Sequence, residues 1–154
     1  MTLAEARPYA RLRKSLDMPL SVPSWPDRVR PVRLDAADPR AVHAILSAAF
    51  DVAPFDIWHE SLVTDSEYDP ALCIVVRAED GVIAGFVQCW TSAFIKDLVV
   101  APPFRGQGLG LALMNEAFTI FARRGASHVD LKVARDNHVA RSLYARLGMA
   151  EIPE

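Results

Sequence analysis

No apolar run in these 154 residues approaches the roughly 18 that a membrane span requires. The N-terminus also lacks the apolar stretch of a signal peptide, so nothing in it directs export and a cytoplasmic protein is expected. Charge of one sign is missing too. Seventeen Lys/Arg against nineteen Asp/Glu leave a formal charge of -2, which offers no global attraction to nucleic acid or an anionic membrane. Cysteine is scarce. Cys73 and Cys89 lie among apolar neighbours in segments with strand character, so buried free thiols are expected rather than a disulfide. Neither has a basic partner nearby in sequence that would make it a nucleophile. No group of His, Cys, Asp and Glu has metal-ligand spacing, and no metal is expected.

Glycine is sparse as well, seven in all, yet three fall at alternate positions in one run, Val100-Ala-Pro-Pro-Phe-Arg-Gly-Gln-Gly-Leu-Gly110. The apolar stretch 94–100 before it has strand character. Leu111, Met114, Phe118 and Phe121 after it recur at helical spacing. A glycine-rich turn therefore sits where a strand feeds a helix N-terminus. Unpaired N–H groups and the positive end of the helix dipole there form an anion site. Without a Cβ, Gly106, Gly108 and Gly110 would let a phosphate approach the backbone. The spacing is not G-x-G-x-x-G, and Leu111-Ala112 replaces the Lys-Ser/Thr ending of a nucleotide-triphosphate loop.

Arg105-x-x-Gly108-x-Gly110, following Val100-x-Pro102, resembles the acetyl-CoA signature of the GNAT superfamily of N-acetyltransferases. Asn137-His-Val-Ala-Arg-Ser-Leu-Tyr-Ala-Arg-Leu-Gly-Met149 resembles that family's N-x-x-A-x-x-L-Y-x-x-x-G-[F/M] segment, with a strand over 127–134 between the two. The resemblance covers about residues 29–152. The proline-rich stretch 20–34 is weakly similar to mycothiol-synthase-like members. The fold implied is α/β (α+β): a mixed, mostly antiparallel sheet of about six strands flanked by about four helices.

With 51% hydrophobic residues the chain is the size of one domain with a real core. We expect an N-terminal arm and proline-rich connector over 1–27, then a transferase domain over 28–154. In the arm, Tyr9, Leu12 and Leu16 suggest a short helix over 3–16, and Pro19, Pro23 and Pro26 then impose an extended connector anchored by Trp25. Strands are expected at 29–34, 71–78 and 82–92, the last two joined by Glu79-Asp80-Gly81. Helices are expected from Pro39, with Asp38 as N-cap, to about 50, and over 54–63. A helix reaching about Arg124, with Gly125 as its C-cap, and another over 138–147 follow. Only six residues follow Gly148, so one short strand over 150–152 fits and the family's closing strand does not. The 127–134 strand would then present an open edge, which the arm or a second subunit of a homodimer should cover.

The resemblance implies acetyl-CoA as cosubstrate. Backbone groups of Gly106, Gln107, Gly108, Leu109 and Gly110 would grip its pyrophosphate, with Arg105 setting the turn. Main-chain atoms of Leu98, Val99 and Val100 would hold the pantetheine arm like an added strand, and an N–H there could face the developing oxyanion. Tyr144 is the expected acid for the departing thiolate, since an ordinary phenol is protonated at neutral pH. Asn137 is equally a coenzyme contact or a helix N-cap. Asp97 is the candidate base, acting through water, with a simple pairing to Lys96, Lys132 or an arginine as the alternative. Lys132 stands where protein N-terminal acetyltransferases carry a glutamate, so that role does not carry over. Asp56, His59 and Glu60 could border an acceptor pocket, though a solvated helix face is favoured. These expectations describe an N-acetyltransferase acting by direct attack of a small-molecule or peptide amine. A non-catalytic acyl-CoA-binding module is the alternative.

Overall fold

The computed structural model describes residues 7–153. Seven strands form one sheet: β1 (Tyr9–Ser15), β2 (Val29–Arg33), β3 (Cys73–Ala78), β4 (Ile83–Trp90), β5 (Phe94–Val100), β6 (His128–Ala134) and β7 (Ala150–Glu151). Their order is β2-β3-β4-β5-β6-β1-β7, and among the described residues only the β5–β6 pair is parallel. Four α-helices occur among the described residues: α1 (Pro39–Ala49), α2 (Phe55–Thr64), α3 (Leu109–Arg123) and α4 (His138–Arg146).

Local chemistry accounts for most boundaries. Asp38 caps α1, its carboxylate accepting from Arg40 N at 3.0 Å, with Pro39 preset for the first turn. Gly81 adopts a φ of 86° in the β3–β4 turn, and Asp80 accepts from Val82 N at 3.1 Å. Gly125, at φ 85°, ends α3 in the left-handed conformation its sequence position suggested.

The sheet is covered on both faces in its centre. Leu109, Leu113, Phe118 and Phe121 of α3, with Tyr144 and Leu147 at α4, pack against Ile74, Val87, Ile95, Leu131 and their neighbours. Val42 and Leu46 of α1, with Trp58 and Leu62 of α2, pack on Val75, Phe86 and Val99 from the other side. Covered on both faces, β4 is buried from Ile83 to Cys89. Gly85 permits α3 to come this close: a Cβ there would lie 3.1 Å from Leu113 Cδ1 and 3.1 Å from the Val99 carbonyl.

The arm departs from expectation. The helix over 3–16 does not form in its described part; residues 3–6 lie outside the described residues, and 9–15 are β1. Three residues suggested a helical face, but the true period is two. Ala10 and Leu12 point into the core while Tyr9, Arg11 and Arg13 point out. Long-range pairing with β6 decides the matter, in register from Tyr9↔Ala134 to Ser15↔His128. Thus the arm itself covers the 128–134 edge, and no second subunit is needed for that. The connector follows, with Leu20 and Trp25 packed against the α3 side of the core.

One buried charge locks this arrangement. Asp130, 2% exposed, accepts from Arg11 Nε at 2.9 Å and from Arg13 Nε and Nη2 at 2.7 and 2.9 Å. Burial alone would raise its proton affinity. The Arg13 and Arg11 hydrogen bonds outweigh that and hold the carboxyl below its ordinary range.

Candidate functional site

The central feature is a splay between two strands. β5 and β6 pair at Phe94↔Asp130 and Ile95↔Leu131, and no further register pair joins them. Beyond Ile95 the strands part, leaving one side of residues 96–100 without a sheet neighbour. Across β4 the ladder continues, shifted by a bulge at Lys96, with Gln88↔Asp97, Val87↔Leu98, Phe86↔Val99 and Gly85↔Val100.

Antiparallel ladders alternate, so the donors on the splayed side can be identified. Ala101 N donates to Ala84 O at 2.8 Å. Counting back, Val99 and Asp97 turn their main-chain groups to β4, while Leu98 and Val100 turn theirs into the gap. The Val100 carbonyl accepts from Arg105 Nε at 3.1 Å, which fixes the following turn. Leu98 and Val100 thus have main-chain groups free of β4, while Val99 is engaged by the sheet and its side chain is buried.

The glycine turn lies at the C-terminal end of β5. Gly106 and Gly108 adopt φ of 78° and 81°, a conformation costly for other residues, and a Cβ on either would meet nothing within 4 Å. Among the described residues, the N–H groups of Gly106, Gln107 and Gly108 donate to no other backbone group. Within α3 the first intrahelical bond from Ala112 N reaches Gly108 O at 3.1 Å, so the N–H groups of Leu109, Gly110 and Leu111 are the helix's orphan donors. Leu109's side chain is buried in the core, so only its main chain can serve a ligand. A cleft of about 430 Å³ opens here between the turn and α4, lined by Arg105, Gly106, Gly108, Ser142, Leu143 and Arg146 among others. Converging amides, open space at the glycines and a flanking arginine fit a diphosphate.

Tyr144 is buried on the α3–α4 face of the sheet. Burial raises the phenol's pKa above its ordinary value, and the Asp97 charge raises it further. The Asp97 charge therefore reaches the phenol from across the sheet. Asp97 directly opposes Gln88, on the α1–α2 face that also holds Phe86 and Val99. The splay thus has a phenol on one face and a carboxylate on the other. Asp97 also pairs with Lys96 Nζ at 3.2 Å. Gln88 is 2% exposed, and its Oε1 has no hydrogen-bond partner among the described residues. In sequence a glutamine within an apolar strand carries no signal until its neighbours are known.

Other candidates separate from this centre. Asn137 caps α4, accepting from Ala140 N at 3.1 Å. Asp56 and Glu60 are exposed on α2, and His59 stacks on Phe55 with ring centroids 5.3 Å apart, which matches a solvated helix face. Lys132 is exposed on β6 opposite Arg11. Cys73 and Cys89 are free and buried, and burial pushes the Cys73 thiol up to about 12, which removes it as a nucleophile. Among the described residues no cluster of His, Cys, Asp and Glu could hold a metal, and no helix is long and apolar enough to cross a membrane.

Residues 40–149 match the model of the acetyltransferase (GNAT) family. A Bacillus subtilis protein provisionally named ribosomal protein bS18-alanine N-acetyltransferase is 31% identical over 127 residues, 79% of each chain. The mycothiol acetyltransferase of Clavibacter michiganensis is 38% identical over 87 residues, which are 54% of this chain and 28% of that protein. The crystal structure of a GCN5-related N-acetyltransferase from Sphaerobacter thermophilus superposes with a TM-score of 0.82 at 30% identity, covering 95% of this chain and 50% of that one. The chain belongs to the GNAT acetyltransferase family, an acyltransferase family whose named relatives here are N-acetyltransferases. It spans most of the Bacillus protein but only half or less of the other two.

Proposed function

We propose that this protein transfers an acetyl group from acetyl-CoA to a primary amine by direct attack, without an acyl-enzyme. The observation that carries this is the juxtaposition of the unpaired amides of Gly106–Leu111 with the splayed edge of β5. Acetyl-CoA would supply the activated acyl group as a thioester. Amides at the α3 N-terminus would hold its diphosphate, Arg105 keeping the turn in place. Leu98 and the Val100 N–H would bond the pantetheine arm as an added strand, and an N–H here would face the carbonyl oxygen as negative charge develops.

Asp97 would take the amine's proton, directly or through water. Gln88 Oε1, beside it in register, offers a second acceptor for an amine hydrogen. Tyr144, kept protonated by its surroundings, would deliver a proton to the departing sulfur. Asn137, with its oxygen committed to the cap, would offer only its amide N–H groups to the coenzyme. Acceptors in this reading are small-molecule or peptide amines, and two buried free cysteines suit a reducing cytoplasm.

The test is thermal denaturation with and without acetyl-CoA, then thiol release across a panel of primary amines. Saturation at 100 times the dissociation constant should stabilise by about 2.7 kcal/mol. An absent shift removes the coenzyme from the reading. A shift without thiol release from any amine would instead identify a non-catalytic acyl-CoA-binding module.

A further inference from the structure

Resting on the coenzyme reading above, we propose that the N-terminal strand completes the coenzyme site, with Lys14 and Arg146 forming a subsite for the ribose 3′-phosphate of coenzyme A. Lys14 lies outside residues 40–149, so the family match does not place it there. The alternation of β1 does. Ala10 and Leu12 face the α3–α4 side, and Lys14 is the next residue on that face. Its ammonium lies 5.8 Å from the Phe118 ring centroid and 3.1 Å from the position a Cβ on Gly148 would take. The bare glycine leaves room for the charge.

That charge enters a cleft of about 450 Å³ between α3, α4 and the connector, lined by Lys14, Ser21, Ser24, Leu111, Asn115 and Arg146 with apolar and main-chain neighbours. No carboxylate lines it. Neither Lys14 nor Arg146 has an ion-pair partner among the described residues. Two unpaired cations with hydroxyl and amide donors, and no anion of the protein's own, suit a phosphate dianion.

Position identifies which phosphate. Leu111 and Arg146 line both this cleft and the one at the glycine turn, so the two are contiguous. From Gly108 to Asn115 the helix advances about 10 Å, comparable to the span of a nucleoside bisphosphate. A diphosphate seated on the turn thus directs its nucleoside toward Arg146 and Lys14. The arm that closes the sheet edge also reads the far end of the cosubstrate.

Titration calorimetry of the full chain with coenzyme A and with dephospho-coenzyme A, which lacks only the 3′-phosphate, tests this. The wild-type protein should prefer coenzyme A about tenfold. Lys14→Met keeps the stem over Phe118 and should cut the preference to about threefold or less, leaving dephospho-coenzyme A affinity unchanged. Lys14→Arg should restore it. Equal wild-type affinity for the two ligands overturns the subsite alone, as does an unchanged preference in Lys14→Met or an equal loss for both ligands. Failure of the wild type to bind either ligand overturns the coenzyme reading together with it.

Discussion

Asp130→Asn tests whether one buried carboxylate fastens the N-terminal strand to the rest of the sheet. The aspartate is 2% exposed and receives three hydrogen bonds from two guanidinium groups. Asparagine keeps the shape and one acceptor oxygen but turns an amide donor toward donors. With the amide nitrogen at the Oδ1 site one bond is lost and the two at the other oxygen lose the carboxylate's charge, a charge-assisted bond being worth about 1.5–3 kcal/mol. Relief follows because the Arg11 and Arg13 side chains retain 31% and 39% of their surface and can return to water. A net loss of about 2–3 kcal/mol at pH 7 is the outcome, or roughly 4–10 °C in melting temperature for a domain of this size. Because the folded carboxyl is held below its unfolded value, its stabilisation is complete above the ordinary carboxylate pKa and fades as pH falls through the depressed one. Denaturant unfolding of both proteins across pH 2–8 reads this directly. The gap should close at the acid end, and a loss at pH 7 below about 0.5 kcal/mol, or one independent of pH, would refute the reasoning.

Tyr144→Phe removes one oxygen from a packed position, so stability and coenzyme affinity should hold while turnover falls by about 10²–10⁴; full activity in steady-state kinetics would exclude Tyr144 as the acid. Since burial and Asp97 hold the phenol above its ordinary pKa, the tyrosine-dependent part of turnover should persist past pH 10 and decline only above it. A decline centred on pH 8–9 would contradict that assignment. Gly85→Ala should cost about 1–3 kcal/mol, because the added methyl meets the Val99 carbonyl, which cannot swing aside. Unaltered denaturant unfolding would mean that α3 is free to shift.

The half of the molecule that carries the candidate site could be read from sequence because its signals are local. A glycine pair at positive φ, a strand before it and a helical stripe after it are all set within about twenty residues, and so are the caps at Asp38, Asn137 and Gly125. What could not be read depends on partners far along the chain. The 9–15 segment is a strand because β6, over a hundred residues away, offers it an edge; alone, its few apolar residues fit a helix as well. Gln88 is an ordinary strand residue until the register sets it against Asp97. Lys14 is one more cation of the arm until the strand alternation sets it on the wall of the cleft that Arg146 also lines.

By itself, then, the order of residues determined where the backbone would expose its amides, since dihedral preference and helix-end geometry act over a few bonds. Only the tertiary structure decided which side chains meet around those amides. Such meetings depend on strand register and on which edge the arm finds, and these are settled by burial summed over the whole sheet.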